Sequence, residues 1–232
     1  GSGAIPLTSD RALAATTLIT LAGTLTLPKS DGPHAIAVMA TGSGQQNRDE
    51  EIYNHRPFLV ISDALTRRGI GVLRLDDRGV GGSIGDVQNA TTKDFAQDIA
   101  AAVTFLKSRA DVDAKRIGII GHSEGGLIAS IVAAADPSIA FCVLLASPGV
   151  SGMELLPQQV ERIARAAGAS VADARAAGVM QGKVMQMLAA EPDNQKAIEQ
   201  ITALLFADAR PRADAAELSD QQLKDGLRTQ AR

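Results

Sequence analysis

A chain of 232 residues with 45% hydrophobic and 21% charged side chains holds enough apolar material for one large core, or for a core with a substantial insertion. Its net charge of −3 leaves no basic footprint for nucleic acid and no polybasic patch for a membrane surface. No apolar run reaches the roughly 18 residues that cross a bilayer, and a single cysteine excludes an internal disulfide.

That cysteine, Cys142, lies in an apolar run and reads as an inert core thiol. The opening Gly1-Ser2-Gly3 looks like a tag remnant and is set aside from fold reasoning. It hides any leader, so cytoplasmic and secreted or periplasmic placements both stay open.

In chain order, Thr16–Thr20 and Thr24–Leu27 are short β-rich runs around Ala22-Gly23, which predicts an antiparallel hairpin. Ala35–Ala40 is a compact apolar strand. Thr41–Glu51 then has no apolar period and is a loop long enough to suspect of function. Pro57–Arg68 places Phe58, Ile61 and Leu65 on one helical face, with Gly69 as its stop. Ile70–Leu75 is a strand. Thr91 with Asp94 forms a capping pair ahead of a stripe of Phe95, Ile99, Val103 and Leu106. A strand at Arg116–Gly121, a helix at Glu124–Ala135 and a strand at Ile139–Ala146 complete the series. Continuous apolar strands separated by helices predict a parallel sheet covered on both faces.

After Val150 the pattern becomes helical throughout. Helices are predicted at Gly152–Ala167, Ser170–Ala190, Asn194–Ala207 and Ser219–Arg228, with Ser170/Asp173 and Ser219/Gln222 as N-terminal capping pairs. The expected organisation is an α/β core over residues 1–150 and a helical cap over residues 151–232.

The strongest chemical signal is Gly121-His122-Ser123-Glu124-Gly125-Gly126, which matches G-x-S-x-G between a strand and a helix. A turn that tight needs glycines, because a Cβ at Gly121 or Gly125 would strike the neighbouring elements. It leaves Ser123 exposed as a nucleophile above a helix N-terminus. Acyl transfer also needs two N–H donors for the developing oxyanion. The N–H of Glu124 is one candidate. Ser43, in the glycine-flanked loop after the Ala35–Ala40 strand, supplies the other.

Four blocks carry a family likeness: Gly23-Thr24-Leu25-Thr26-Leu27-Pro28, Gly42-Ser43-Gly44-Gln45-Gln46-Asn47-Arg48-Asp49-Glu50, Leu75-Asp76-Asp77-Arg78-Gly79-Val80-Gly81-Gly82-Ser83, and Gly121–Gly126. In this order they resemble the serine esterases of the α/β-hydrolase superfamily, in the EstD-like bacterial carboxylesterase branch. The resemblance implies a carboxylic ester hydrolase acting on a small-molecule acyl ester through an acyl-enzyme, with no metal or organic cofactor.

One departure stands out. In this superfamily the triad runs Ser, then Asp or Glu, then His, yet the three histidines here are His34, His55 and His122. None follows Ser123. His122 is expected to pack against the sheet, His34 to lie at the surface, and His55 to begin a helix near the loop. The expectation is therefore a chain truncated after the cap, lacking its last strands, with its Asp and His in missing segments. A second polypeptide supplying them, or cap helices folded over the edge at Ile139–Ala146, would complete it. Asp76, Asp77 and Arg78 are read as pinning their turn through charge-assisted bonds, and Arg48, Asp49 and Glu50 as bracing the loop. The rival readings are another acyl hydrolase or acyltransferase on the same scaffold, and a non-catalytic binding protein.

Overall fold

The computed structural model describes residues 2–7, 19–209 and 219–230. The chain divides into two compact units, Gly1–Pro148 and Gly149–Arg232.

The first unit is an α/β structure built on a six-stranded sheet of order β1-β2-β4-β3-β5-β6. Its strands are β1 (Ser2–Leu7), β2 (Ile19–Thr26), β3 (His34–Ala40), β4 (Ile70–Leu75), β5 (Val112–His122) and β6 (Cys142–Leu145). The β4–β3, β3–β5 and β5–β6 pairs are parallel, while β1–β2 and β2–β4 are antiparallel. Three helices accompany it: α1 (Pro57–Thr66), α2 (Thr92–Lys107) and α3 (Glu124–Ala135).

Strand periodicity sorts the core onto two faces. Ile36, Val38 and Ala40 of β3 pack with α2 and α3 through Ile99, Val103, Leu106, Ile128 and Val132. Ala37 and Met39, pointing the other way, meet Phe58, Ile61 and Leu65 of α1. Full burial of a side chain of the Ile36, Ile117, Ile119 or Phe58 kind stabilises by roughly 1.5–3 kcal/mol. The apolar runs of β3, β4 and β5 are thus covered on both sides. The Asp94 carboxylate accepts the Thr91 N–H at 2.9 Å, so the capping pair ahead of α2 forms as read.

Several expectations change. The hairpin around Ala22-Gly23 is instead one strand, β2, that runs straight through, while residues 16–18 lie outside the described residues. Gly23 marks a close approach there, since a Cβ on it would stand 2.8 Å from the Arg74 carbonyl oxygen of β4. Ser2 and Gly3, set aside as tag, pair in β1 with Thr24 and Gly23. The strand at Ile139–Ala146 shortens to β6, which lies at the sheet edge with Val143 40% and Leu144 49% exposed. Cys142 is consequently exposed rather than core.

The second unit holds α4 (Gly152–Ala166), α5 (Val171–Ala190), α6 (Asn194–Ala209) and α7 (Asp220–Gln230). Both capping pairs form: Ser170 Oγ accepts the Asp173 N–H at 3.1 Å, and Ser219 Oγ that of Gln222 at 3.3 Å. Its buried residues are few and small to medium in size, including Ala174, Ala197 and Ile201.

Candidate active site

The parallel strands β3 and β5 lie side by side with Ala40 opposite Gly121, so the segments that follow them leave the same end of the sheet together. One is the loop beginning at Thr41; the other is the turn carrying Ser123. Ligands of open α/β sheets collect at such carboxyl ends.

Ser123 stands between the end of β5 and the start of α3 with φ +52° and ψ −118°. Positive φ on a residue with a Cβ is strained by about 1–3 kcal/mol and persists only where the surroundings impose it. Here its N–H donates to the Leu145 carbonyl at 2.9 Å, and its own carbonyl accepts the Gly126 N–H at 3.0 Å. The glycines make room for the turn. A Cβ on Gly121 would lie 2.0 Å from the Gly125 carbonyl oxygen, and one on Gly125 2.1 Å from that of Ala40.

The Thr41 loop comes directly against this turn. A Cβ built on Gly42 would sit 3.3 Å from the Ser123 Cβ and 3.2 Å from both Glu50 Oε1 and His122 Nδ1. A run of carboxylates holds the loop. Asp77 accepts the Thr41 hydroxyl at 2.7 Å and the Gln46 N–H at 2.9 Å, clasping both shoulders. Asp76 takes the Arg48 guanidinium and the Arg48 N–H. Asp49 pairs with Arg74 of β4, and Glu50 accepts the Gly42 N–H at 2.7 Å. The N–H groups of Ser43 and Glu124 meet no protein acceptor among the described residues. The Glu124 side chain turns instead to the Thr92 hydroxyl at 2.6 Å.

Burial sets the local electrostatics. It pushes Asp77 up to about 6, against the hydrogen bonds from Thr41 and Gln46 and with help from the nearby Asp98 and Glu50 charges. Burial also raises Asp98, partly offset by Arg78. At Asp76 burial works upward too, but the Arg48 guanidinium and the N–H groups of Gly82 and Arg48 outweigh it and leave that carboxyl low.

Arg78 does not pair with its neighbours Asp76 and Asp77. It forms a buried two-point pair with Asp98 of α2, both bonds at 2.8 Å, and lies over the Phe95 ring. Asp98 escaped the sequence reading, although its place beside the apolar stripe of α2 was a signal that some cation must meet it.

Two histidine readings also need correction. His34 is buried, 8% exposed, and lies at the far end of β3, about 20 Å along the strand from Ala40. The His122 side chain is half-exposed and meets Glu50 at 2.9 Å rather than packing on the sheet. His55 is exposed and bridges to Ile52. No histidine is bonded to the Ser123 hydroxyl, which has no hydrogen bond among the described residues. Among these residues no group of side chains could hold a metal ion, and no helix is long and apolar enough to cross a membrane.

A mostly parallel sheet with a serine elbow beside a glycine loop defines an α/β hydrolase. Residues 56–215 match the family model described as serine aminopeptidase, S33 (Hydrolase_4), and the chain belongs to that family. Over 134 residues it is 32% identical to Esterase EstD of Thermotoga maritima, which covers 58% of this chain and 32% of that one. It is 34% identical over 135 residues to the putative hydrolase YtaP of Bacillus subtilis, covering 51% of this chain and 45% of the other. The chain thus spans less than half the length of these relatives. The same fold is found in the α/β hydrolase GrgF from Penicillium sp. sh18, with TM-score 0.53, 23% identity, and coverage of 73% of this chain and 56% of that one. It is found again in the esterase Pf2001 of Pyrococcus furiosus, with TM-score 0.53, 23% identity and coverage of 73% and 60%.

Proposed function

We propose that this chain carries the nucleophile of a serine carboxylic ester hydrolase that works through an acyl-enzyme. The observation behind this reading is Ser123, held in a strained turn at the N-terminus of α3 with the Gly42 loop against its Cβ. Its hydroxyl oxygen attacks the acyl carbon of a small-molecule ester. The N–H groups of Ser43 and Glu124 receive the oxyanion, aided by the dipole of α3. The alcohol leaves with a proton, and water then releases the acid. The serine proton needs a base, and no histidine of this chain is bonded to Ser123. This reading takes the histidine and its acid from polypeptide outside these residues. We assign the helical residues 151–232 to the cap region of such an enzyme.

An ester is favoured because the Thermotoga maritima relative bears the name esterase. The family description, serine aminopeptidase, supports a second reading in which the acyl group is held as an amide.

The full gene product should hydrolyse 4-nitrophenyl acetate or butyrate faster than aminoacyl anilides, and Ser123→Ala should remove that activity. The 232-residue chain alone should show only residual catalysis, on the order of 10³–10⁴ over water. Undiminished turnover in Ser123→Ala would refute the nucleophile. Robust turnover by the isolated chain, lost in His55→Ala, would refute an external base.

A further inference from the structure

We infer that Glu50 is the positioning residue for the oxyanion site: one buried carboxylate oxygen sets both the Gly42 amide and the His122 ring, and through them the loop that carries Ser43. This rests on the ester-hydrolase reading above.

Glu50 is 4% exposed and sits in the left-handed region at φ +50°, although it is not a glycine. Backbone strain of that kind survives where surrounding contacts over-determine it. The Asn47 carbonyl accepts the Glu50 N–H at 2.9 Å, and the Asn47 side-chain oxygen accepts the Asp49 N–H at 3.0 Å, closing a turn that aims Glu50 inward. Its Oε1 then accepts the Gly42 N–H at 2.7 Å and meets His122 Nδ1 at 2.9 Å. Both partners flank the nucleophile: a Cβ on Gly42 would stand 3.3 Å from the Ser123 Cβ, and His122 precedes Ser123 in the chain.

The consequence is a division of labour among successive amides. The Gly42 N–H is committed to Glu50, so it is not the oxyanion donor. The Ser43 N–H, next in the chain, meets no protein acceptor among the described residues, and its place is set by the peptide before it. In the tautomer that carries its proton on Nδ1, His122 donates to the same Glu50 oxygen that accepts the Gly42 N–H. Removing the carboxylate would free the Gly42–Gly44 backbone on the side facing Ser123.

The test uses two independent readouts on Glu50→Ala and Glu50→Gln. The first is amide hydrogen exchange in the 232-residue chain. Glu50→Ala should speed exchange of the amides at 42–46 at least about tenfold, with β3 and β5 unchanged, while Glu50→Gln, which keeps an acceptor oxygen, should stay close to the original. The second is the rate at which a fluorophosphonate, losing fluoride, bonds to the Ser123 oxygen in the full gene product. Glu50→Ala should slow it by about 10²-fold, the size expected of a small misplacement, and Glu50→Gln should recover most of that loss. Failure of the unsubstituted protein to react at Ser123 would defeat the hydrolase reading and leave exchange to decide the role of Glu50. Unaltered exchange in Glu50→Ala, or an unaltered labelling rate where the parent reacts, would overturn the inference. If Glu50→Ala unfolds, Glu50→Gln losing as much labelling as an unfolded control would overturn it as well.

Discussion

At Ser123 the backbone carries the strain, with φ +52° on a residue that has a Cβ. A strained serine is tolerable because two glycines clear its path, and their substitution should be severe. Gly121→Ala would press a Cβ against backbone atoms 2.0 Å away, which neither strand nor helix can yield. It should destabilise the first unit by about 3 kcal/mol or more, read as a lowered urea midpoint. Gly149→Ala meets nothing within 4 Å and should leave the midpoint in place. Asp77 makes a second prediction at this scale. Burial raises its carboxyl from 3.8 to about 6, so the folded chain holds that proton more tightly than the unfolded chain. Its contribution to stability is full below about pH 4 and is lost as pH rises through 6. Relative to Asp77→Asn, the parent protein should lose up to about 3 kcal/mol of unfolding free energy between pH 4 and 7. Equal pH dependence of the two proteins would contradict this.

Among elements, the telling contact joins the turn after β4 to helix α2. Arg78 and Asp98 are both nearly buried and satisfy one another at two points. Such a pair adds little over an apolar substitute but costs much when half is removed. Asp98→Ala should lower stability by about 3–5 kcal/mol, because it leaves the Arg78 guanidinium buried without its carboxylate. Replacing both residues together with apolar side chains should restore part of that loss. A double-mutant cycle in urea reads the difference. Breaking the exposed Arg67–Asp63 pair of α1 should leave the midpoint unchanged, since both side chains stand in water. Helix α2 was recognisable from its stripe and capping pair, whereas the ion pair that ties its first turns to β4 was not.

For the whole molecule, β6 is the exposed flank. Among the described residues it pairs only with β5, and Phe141, Val143 and Leu144 are exposed. A strand edge with apolar side chains and open backbone groups is a template for another chain. The 232-residue protein should self-associate with rising concentration, and Val143→Lys with Leu144→Lys should suppress this in sedimentation without lowering the melting temperature. Monodisperse behaviour of the parent protein at high concentration would count against an adhesive edge.

Much of this protein was legible because the controlling interactions are local. The bounds of α3 follow from Glu124 to Ala135, the caps of α2, α5 and α7 from residues three apart, and the turn at Ser123 from glycines two positions either side. Each depends on neighbours in the chain, so spacing alone carries it. What tertiary structure decided lies in pairs far apart in sequence. Gly23 marks a close approach inside β2 rather than a hairpin turn, because β4 passes beside it. Arg78 chose Asp98, 20 residues on, over the adjacent carboxylates. Glu50 and His122 meet across 72 residues, and only the adjacency of β3 and β5 brings them to one oxygen beside Ser123. A buried polar group must take whichever partner the packed chain places within about 3 Å, and that choice is made by how the strands lie side by side.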